Sequence, residues 1–191
     1  YDNVYIIAEI GINHEGSAEQ CAKMIEAAAV AGADAVKLQT IDADANYVVG
    51  SESYKVFKGS QLTPKETASM FNLAREIGLD IFTTAGDIET VEWVEKLEPS
   101  CWKISSGLLT HIPMVRHLAS LGRPLLISTG MASLDDIDLA IETIKLEGNN
   151  YKPFAQSLFD FMSASIDESE EDIYGEGNGG EGDLMHDPDD L

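Results

Sequence analysis

The sequence has few cysteines and no long apolar run, and these absences exclude several classes of protein. Only two cysteines occur among 191 residues, and Cys21 and Cys101 do not stand at a metal-binding or redox spacing. We therefore expect both to be core residues. No run of about 18 apolar residues occurs, so no membrane span is expected. No charged-then-apolar leader precedes Tyr1, which favours a cytoplasmic location.

Basic side chains are also scarce. The chain carries 12 lysines and arginines against 34 acidic residues, a net charge of −22. Residues 151–191 hold twelve acidic side chains and one base, Lys152. Such a chain repels nucleic acid and anionic membranes, so we expect neither as a partner. An anionic small molecule would have to be bound by the few lysines, which makes their positions informative.

Residues 4–147 alternate between strand and helix signals. Several strand signals are continuous apolar runs, which are typical of parallel sheets covered on both faces. Five strand–helix units in series predict a parallel sheet with helical crossovers. The predicted strands are Val4–Ala8, Ala35–Gln39, Asp80–Thr84, Cys101–Ser105 and Pro124–Ser128.

Polar residues and glycines mark the predicted helix ends. Capping pairs predict three helix starts at Ser17 with Gln20, Thr63 with Glu66, and Ser133 with Asp136. Three glycines before strands predict helix C-termini at Gly32, Gly78 and Gly122. The long segment Ile41–Leu62 is expected to cover a substrate or to be a variable insertion, and both interpretations stay open.

The regular pattern stops near Asn149. We predict one partial barrel domain over residues 1–149 and a divergent, acidic and Gly-rich tail over residues 150–191, of disordered composition.

Three charged residues lie in or beside apolar strands. Glu9 follows the apolar run Val4–Ile7, where a charge is costly unless it has a role. Lys37 and Lys103 lie near the C-terminal ends of their strands, which meet at one edge of a parallel sheet. Two lysines converging there predict an anion site. The alternative is an ion pair between each lysine and a neighbouring carboxylate.

Hydroxyl groups and glycines follow the same strands, with Ser106 before Gly107, Ser128 before Gly130, and Thr84 ending the third strand. A hydroxyl, a glycine and a helix N-terminus together suit a phosphate group, although such turns also serve as plain loops. His14 is interpreted as either a ligand or a loop residue. No pair of histidines stands at metal spacing, so no residue is assigned as a metal ligand.

Four motifs together resemble the sialic acid synthase family: AEIGINHEGS, GADAVKLQT, WKISSG and PLLISTGM. This resemblance implies a (β/α)8 TIM barrel that condenses phosphoenolpyruvate with an N-acetylated amino sugar, such as N-acetylmannosamine, and releases phosphate. It implies that Lys37, Thr84, Lys103, Ser106 and Ser128 hold phosphoenolpyruvate and that Glu9 and Gln39 face the sugar. Glu9, Lys37 and Lys103 are the predicted catalytic residues, and the other four are the predicted substrate-binding residues.

The resemblance also implies a divalent metal, Mn or Mg, held by histidines on later strands that find no match after Gly148. Five βα units cannot close an eight-stranded barrel, so we expect a truncated barrel with open edges. A homo-oligomer or a completing chain is the expected partner. The alternatives are a non-catalytic fragment that binds phosphoenolpyruvate or a sugar phosphate, another phosphoenolpyruvate-dependent aldolase, and an interaction protein acting through its acidic tail.

Overall fold

The computed structural model of the chain describes residues 4–147, which form one parallel sheet covered by helices. The sheet has five strands in the order β1-β2-β3-β4-β5, so each strand lies beside its predecessor in the sequence. This order confirms the predicted series of βα units. The strands are β1 (Ile7–Gly11), β2 (Ala35–Thr40), β3 (Asp80–Ala85), β4 (Trp102–Ile104) and β5 (Leu125–Ile127).

Helices connect every pair of neighbouring strands. They are α1 (Ala18–Val30), α2 (Ala43–Asn46), α3 (Glu52–Ser60), α4 (Pro64–Glu76), α5 (Ile88–Glu95), α6 (Ile112–Ser120) and α7 (Leu134–Glu147), with a 3₁₀ turn at Ser106–Leu108. The predicted capping residues are confirmed, since Ser17, Thr63 and Ser133 each accept a backbone N–H three residues on. The glycines predicted to end helices all have positive φ: Gly32, Gly78 and Gly122.

Alternate residues of each strand project to opposite faces of the sheet. One face packs against the helices and is apolar, with Val36, Leu38, Trp102 and Ile104 all at most 2% exposed. We call it the helix-packed face. The residues between them in sequence, such as Lys37 and Lys103, lie on the opposite face, which we call the polar face.

The first strand differs from its prediction. It was predicted at Val4–Ala8, but β1 lies at Ile7–Gly11, so Glu9 is inside the strand rather than at its end. Val4 is 79% exposed and Ile6 is 53% exposed, so this apolar run is not covered on both faces. The reason is that β1 is an edge of the described sheet and pairs only with β2.

The two cysteines also differ from each other. Cys21 is fully buried, as predicted, and burial raises the pKa of its thiol to about 11. Cys101 is only half-buried, because it lies just before the short strand β4, so its assignment as a core residue was wrong.

The long segment between β2 and α4 folds into α2 and α3, which pack beside the C-terminal ends of neighbouring strands. Asn46 donates a hydrogen bond to Asp87 at 3.0 Å, which joins α2 to the start of α5. Gly16 has φ +80°, and a Cβ there would collide with the backbone of Gly59, so only glycine allows this close approach. That the segment covers a substrate stays a prediction.

Within residues 4–147, no helix is both long and apolar enough to cross a membrane. The predicted domain boundary at residue 149 and the predicted acidic tail lie outside the described residues.

Candidate active site

The polar face brings together most of the predicted site residues through strand register. Glu9 of β1 pairs with Lys37 of β2, and Gln39 of β2 pairs with Thr84 of β3. Lys103 follows the Thr83–Trp102 pair by one residue, so it lies beside Thr84 on the same face. Parallel pairing therefore converts five separate sequence positions into one continuous polar surface.

Lys37 forms an ion pair with Glu9 at a distance of 2.5 Å between Nζ and Oε1. The Lys37 side chain is buried, whereas 59% of the Glu9 side chain is exposed. The alternative of an ion pair is thus realised for Lys37. Because Glu9 faces solvent, its carboxylate can turn to water or to a ligand at little cost, which would leave the buried lysine able to bind another anion.

Lys103 has no carboxylate partner among the described residues. Its ammonium group donates to the Ile104 carbonyl and to Ser128 Oγ, both at 2.6 Å. Burial lowers the pKa of Lys103, the nearby charge of Lys37 lowers it further, and Glu9 partly opposes this. Two ammonium groups that repel one another, of which only Lys37 is paired with an exposed carboxylate, form a surface suited to an anion.

Thr84 adds an unsatisfied hydroxyl to this surface. The residue is 3% exposed, and its Oγ1 has no hydrogen-bond partner within the described part of the chain. A buried hydroxyl without a partner costs about 1–3 kcal/mol. A ligand oxygen placed beside Lys103 would satisfy it.

The serines follow β4 and β5. Ser128 accepts the hydrogen bond from Lys103, which joins it to the lysine surface. Ser106 begins the 3₁₀ turn after β4, and a Cβ built on Gly130 would lie 3.6 Å from its Cβ, so the two turns are adjacent. Gln39 stands near Glu9, since a Cβ on Gly11 would lie 3.6 Å from Glu9 Oε1 and 3.8 Å from Gln39 Oε1.

The implied divalent metal does not fit the residues that the structure describes. Residues 4–147 contain no group of three or more His, Cys, Asp or Glu side chains placed to hold a metal ion. The polar face offers one exposed carboxylate, Glu9, and that carboxylate is paired with Lys37. The described strands alone therefore do not form the metal centre that the resemblance implies.

Sequence reasoning missed a cavity of about 300 Å³ near the C-terminal end of β2. Its lining residues come from the β1–α1 turn, β2 and its following segment, α4 and α5. No local motif marks it, because these segments are far apart in sequence. His14, which the sequence left as a ligand or a loop residue, is buried in its wall.

The parallel βα series, with polar groups gathered near the strand C-termini, defines a TIM-barrel-type α/β protein. Residues 24–154 match the family model described as the NeuB family. The chain belongs to this family.

Three relatives illustrate the similarity. The spore coat polysaccharide biosynthesis protein SpsE of Bacillus subtilis is 36% identical over 77% of this chain and 42% of its own. The N,N'-diacetyllegionaminic acid synthase of Legionella pneumophila is 34% identical over 74% of this chain and 44% of its own. The solved N-acetylneuraminic acid synthetase of Leptospira borgpetersenii superposes with a TM-score of 0.73 at 26% identity, covering 76% of this chain and 51% of that structure.

The chain spans less than half the length of these two curated relatives. The fold extends to more distant proteins, since a DAHP synthase of Thermotoga maritima superposes with a TM-score of 0.62 at 16% identity.

Proposed function

We propose that the polar face is the phosphoenolpyruvate-binding part of a sialic-acid-type synthase. The observation that carries the proposal is the buried Thr84 hydroxyl, which has no hydrogen-bond partner within residues 4–147 and lies on the same face as Lys37 and Lys103. Phosphoenolpyruvate carries a phosphate and a carboxylate, and two ammonium groups with a hydroxyl donor match a ligand with these two anionic groups. Ser106 and Ser128 add hydroxyl donors on adjacent turns.

Glu9 and Gln39 are proposed to face the amino sugar. Phosphate or carboxylate oxygens arriving at Lys37 would replace Glu9 as its anionic partner. The released Glu9 carboxylate, already 59% exposed, would then be free to accept a hydrogen bond from a sugar hydroxyl. Binding of the first substrate would in this way prepare the site for the second.

The proposed reaction forms a carbon–carbon bond between C3 of phosphoenolpyruvate and the aldehyde carbon of the open-chain N-acetylated amino sugar. The aldehyde oxygen takes up a proton, and C2 of the former enol becomes an oxocarbenium ion. Water adds to C2 and loses a proton. The bond between C2 and the phosphate oxygen then breaks, which gives the ketone and inorganic phosphate. The lysines would stabilise the phosphate and carboxylate charges throughout.

Turnover would require more than the described strands. No step is assigned to a metal, because the described residues form no site for one. We therefore expect residues 4–147 to bind phosphoenolpyruvate without completing the reaction. A role limited to binding phosphoenolpyruvate is the second candidate function. The lack of a metal site among the described residues favours it. The cytoplasmic location and the homo-oligomer or completing chain stay predictions.

Phosphoenolpyruvate affinity, measured by isothermal titration calorimetry, tests the assignment. Lys37→Met and Lys103→Met should each weaken binding roughly 10- to 100-fold, because each removes a charged donor. Thr84→Val should weaken it by roughly tenfold while keeping the shape of the side chain. Lys65→Met is the matched control, since Lys65 is exposed on α4.

Equal affinities in all four variants and the original chain would refute the anion site. A decrease confined to the lysine variants would keep the anion site but remove Thr84 from it.

A further inference from the structure

The cavity near the end of β2 lies mainly on the helix-packed side of the sheet. Leu38 and Thr40 line it, and both project to the helix-packed side, where the Thr40 and Thr83 hydroxyls meet at 2.9 Å. The first residues of α4 and α5 complete its walls, including Pro64 and Thr90. Gln39 is the one residue that belongs both to this lining and to the predicted substrate-binding set.

His14 presents an unused hydrogen-bond donor to this cavity. The residue is 2% exposed, and its Nδ1 accepts the Gly16 N–H at 3.2 Å. Because the Nδ1 lone pair accepts this hydrogen bond, the proton of the neutral ring is on Nε2. Burial lowers the pKa of His14, which keeps the ring neutral near pH 7. Nε2 has no partner among residues 4–147, which leaves its N–H for an occupant of the cavity.

A second buried polar group faces the same space. Thr67 of α4 is 2% exposed and lines the cavity, and its hydroxyl has no hydrogen bond within the described residues. The Asp87 carboxylate, by contrast, already accepts hydrogen bonds from the backbone N–H and hydroxyl of Thr90 and from the Asn46 side chain. The buried polar groups that remain open are His14 and Thr67, one donor and one group that can donate or accept.

The charge of the lining selects the kind of ligand. Asp42, Asp87 and Glu89 line the cavity, and no lysine or arginine of residues 4–147 does so. Phosphates and carboxylates are thus disfavoured. A cation fits poorly against the N–H of a neutral imidazole. Trp93 offers a half-buried aromatic surface beside hydrogen-bonding groups, a combination that suits the C–H face and hydroxyls of a sugar.

We propose that this cavity is a binding site for a small, neutral, polyhydroxylated molecule the size of a monosaccharide. The His14 Nε2–H donates to a ligand oxygen, the Thr67 hydroxyl bonds to a second one, and Trp93 packs against the ring. Most of the site lies on the helix-packed side of the sheet, and Gln39 is the residue that it shares with the polar face.

Fluorine NMR of the chain labelled with 5-fluorotryptophan tests this directly. The sequence has two tryptophans, Trp93 and Trp102, so the spectrum has two protein signals, which Trp93→Phe assigns. The probes are D-glucose, D-mannose and N-acetyl-D-glucosamine, with glucose 6-phosphate and glucosamine as charged comparators. At least one neutral sugar should shift the Trp93 signal saturably, with little change at Trp102, whose ring is buried on β4.

Two variants link the shift to the cavity. His14→Phe and Thr67→Val should each weaken the apparent affinity about tenfold, because each removes a hydrogen-bonding group. Lys103→Met and Ser128→Ala, at polar-face residues that do not line the cavity, should leave it unchanged. Because Thr67→Val preserves the shape of the side chain, its sugar affinity tests the proposal even if the histidine variant fails to fold.

The proposal is overturned if no neutral sugar produces a saturable Trp93 shift, or if glucose 6-phosphate binds equally well. It is also overturned if Thr67→Val keeps full affinity, or if the polar-face variants abolish the shift.

Discussion

The two faces of the sheet are formed by the same strands but differ in polarity: one is part of the apolar core, and the other carries charged and polar side chains. On the helix-packed face, Leu38, Trp102 and Ile104 are at most 2% exposed and belong to one continuous core. One residue away in sequence, Lys37 and Lys103 place ammonium groups on the polar face. The alternation of a strand thus lets one segment stabilise the fold and hold a ligand without conflict between the two roles.

The polar face is costly for stability. A buried lysine and a buried hydroxyl without a partner both lower the free energy of unfolding relative to apolar residues of similar size. Such costs are common where a ligand later supplies the missing interactions. Substitutions on the helix-packed face should therefore lower the free energy of unfolding. Substitutions on the polar face should leave the free energy of unfolding unchanged or raise it, and should weaken phosphoenolpyruvate binding.

The largest expected effect is on the helix-packed face. Ile104→Ala should lower the free energy of unfolding by about 2–5 kcal/mol, because it leaves a cavity in the core. Ile6→Ala is the matched control, since Ile6 is 53% exposed, and its effect should stay within about 0.5 kcal/mol. Urea denaturation followed by circular dichroism measures both. Equal losses would contradict the division between the faces.

A smaller effect of opposite sign is expected on the polar face. Lys37→Met should leave the free energy of unfolding unchanged or raise it by about 1 kcal/mol, because it removes a buried charge while Glu9 returns to water. Lys65→Met, on the surface of α4, should change nothing. If Lys37→Met instead lost several kcal/mol, the lysine would be a structural ion-pair residue rather than a ligand-binding one.

The smallest effect concerns pH. The pKa of Lys103 in the folded chain lies below the ordinary lysine value of 10.5, chiefly through burial. Between its folded pKa and 10.5, Lys103 binds more protons in the unfolded chain than in the folded chain, so its own contribution to stability rises with pH across that window, whereas Cys21, whose pKa is raised, contributes a fall. The rise should vanish in Lys103→Met and persist in Lys65→Met, as urea titrations at alkaline pH would show. An identical pH profile in both variants would contradict the assigned burial of Lys103.

Local patterns predicted much of the fold. The strands β2, β3, β4 and β5 were all predicted to within one residue at each end, because each is a short apolar segment. The helix caps were predicted because a cap depends on side chains only three residues apart. The first strand was misplaced because its pairing with β2 begins only at Ile7, near the end of the apolar run on which the prediction rested.

The site was predicted in part for a physical reason. A lysine inside an apolar strand is costly enough to stand out in the sequence, and register then placed Lys37 and Lys103 on one face. That Glu9 pairs with Lys37 follows from strand pairing and could only be left open as an alternative. The unpartnered state of Thr84 and the burial of His14 depend on contacts between distant segments, which no local motif reports.

The most direct test of the central claim is a phosphorus NMR titration of phosphoenolpyruvate with the purified chain, followed by addition of N-acetylmannosamine and Mn²⁺. We predict that the phosphoenolpyruvate signal shifts saturably with the chain and not with the Lys37→Met, Lys103→Met double variant. We also predict no accumulation of inorganic phosphate after the sugar and metal are added. An unshifted signal would contradict the anion site on the polar face, and sustained phosphate release would contradict the claim that the described strands bind without turning over.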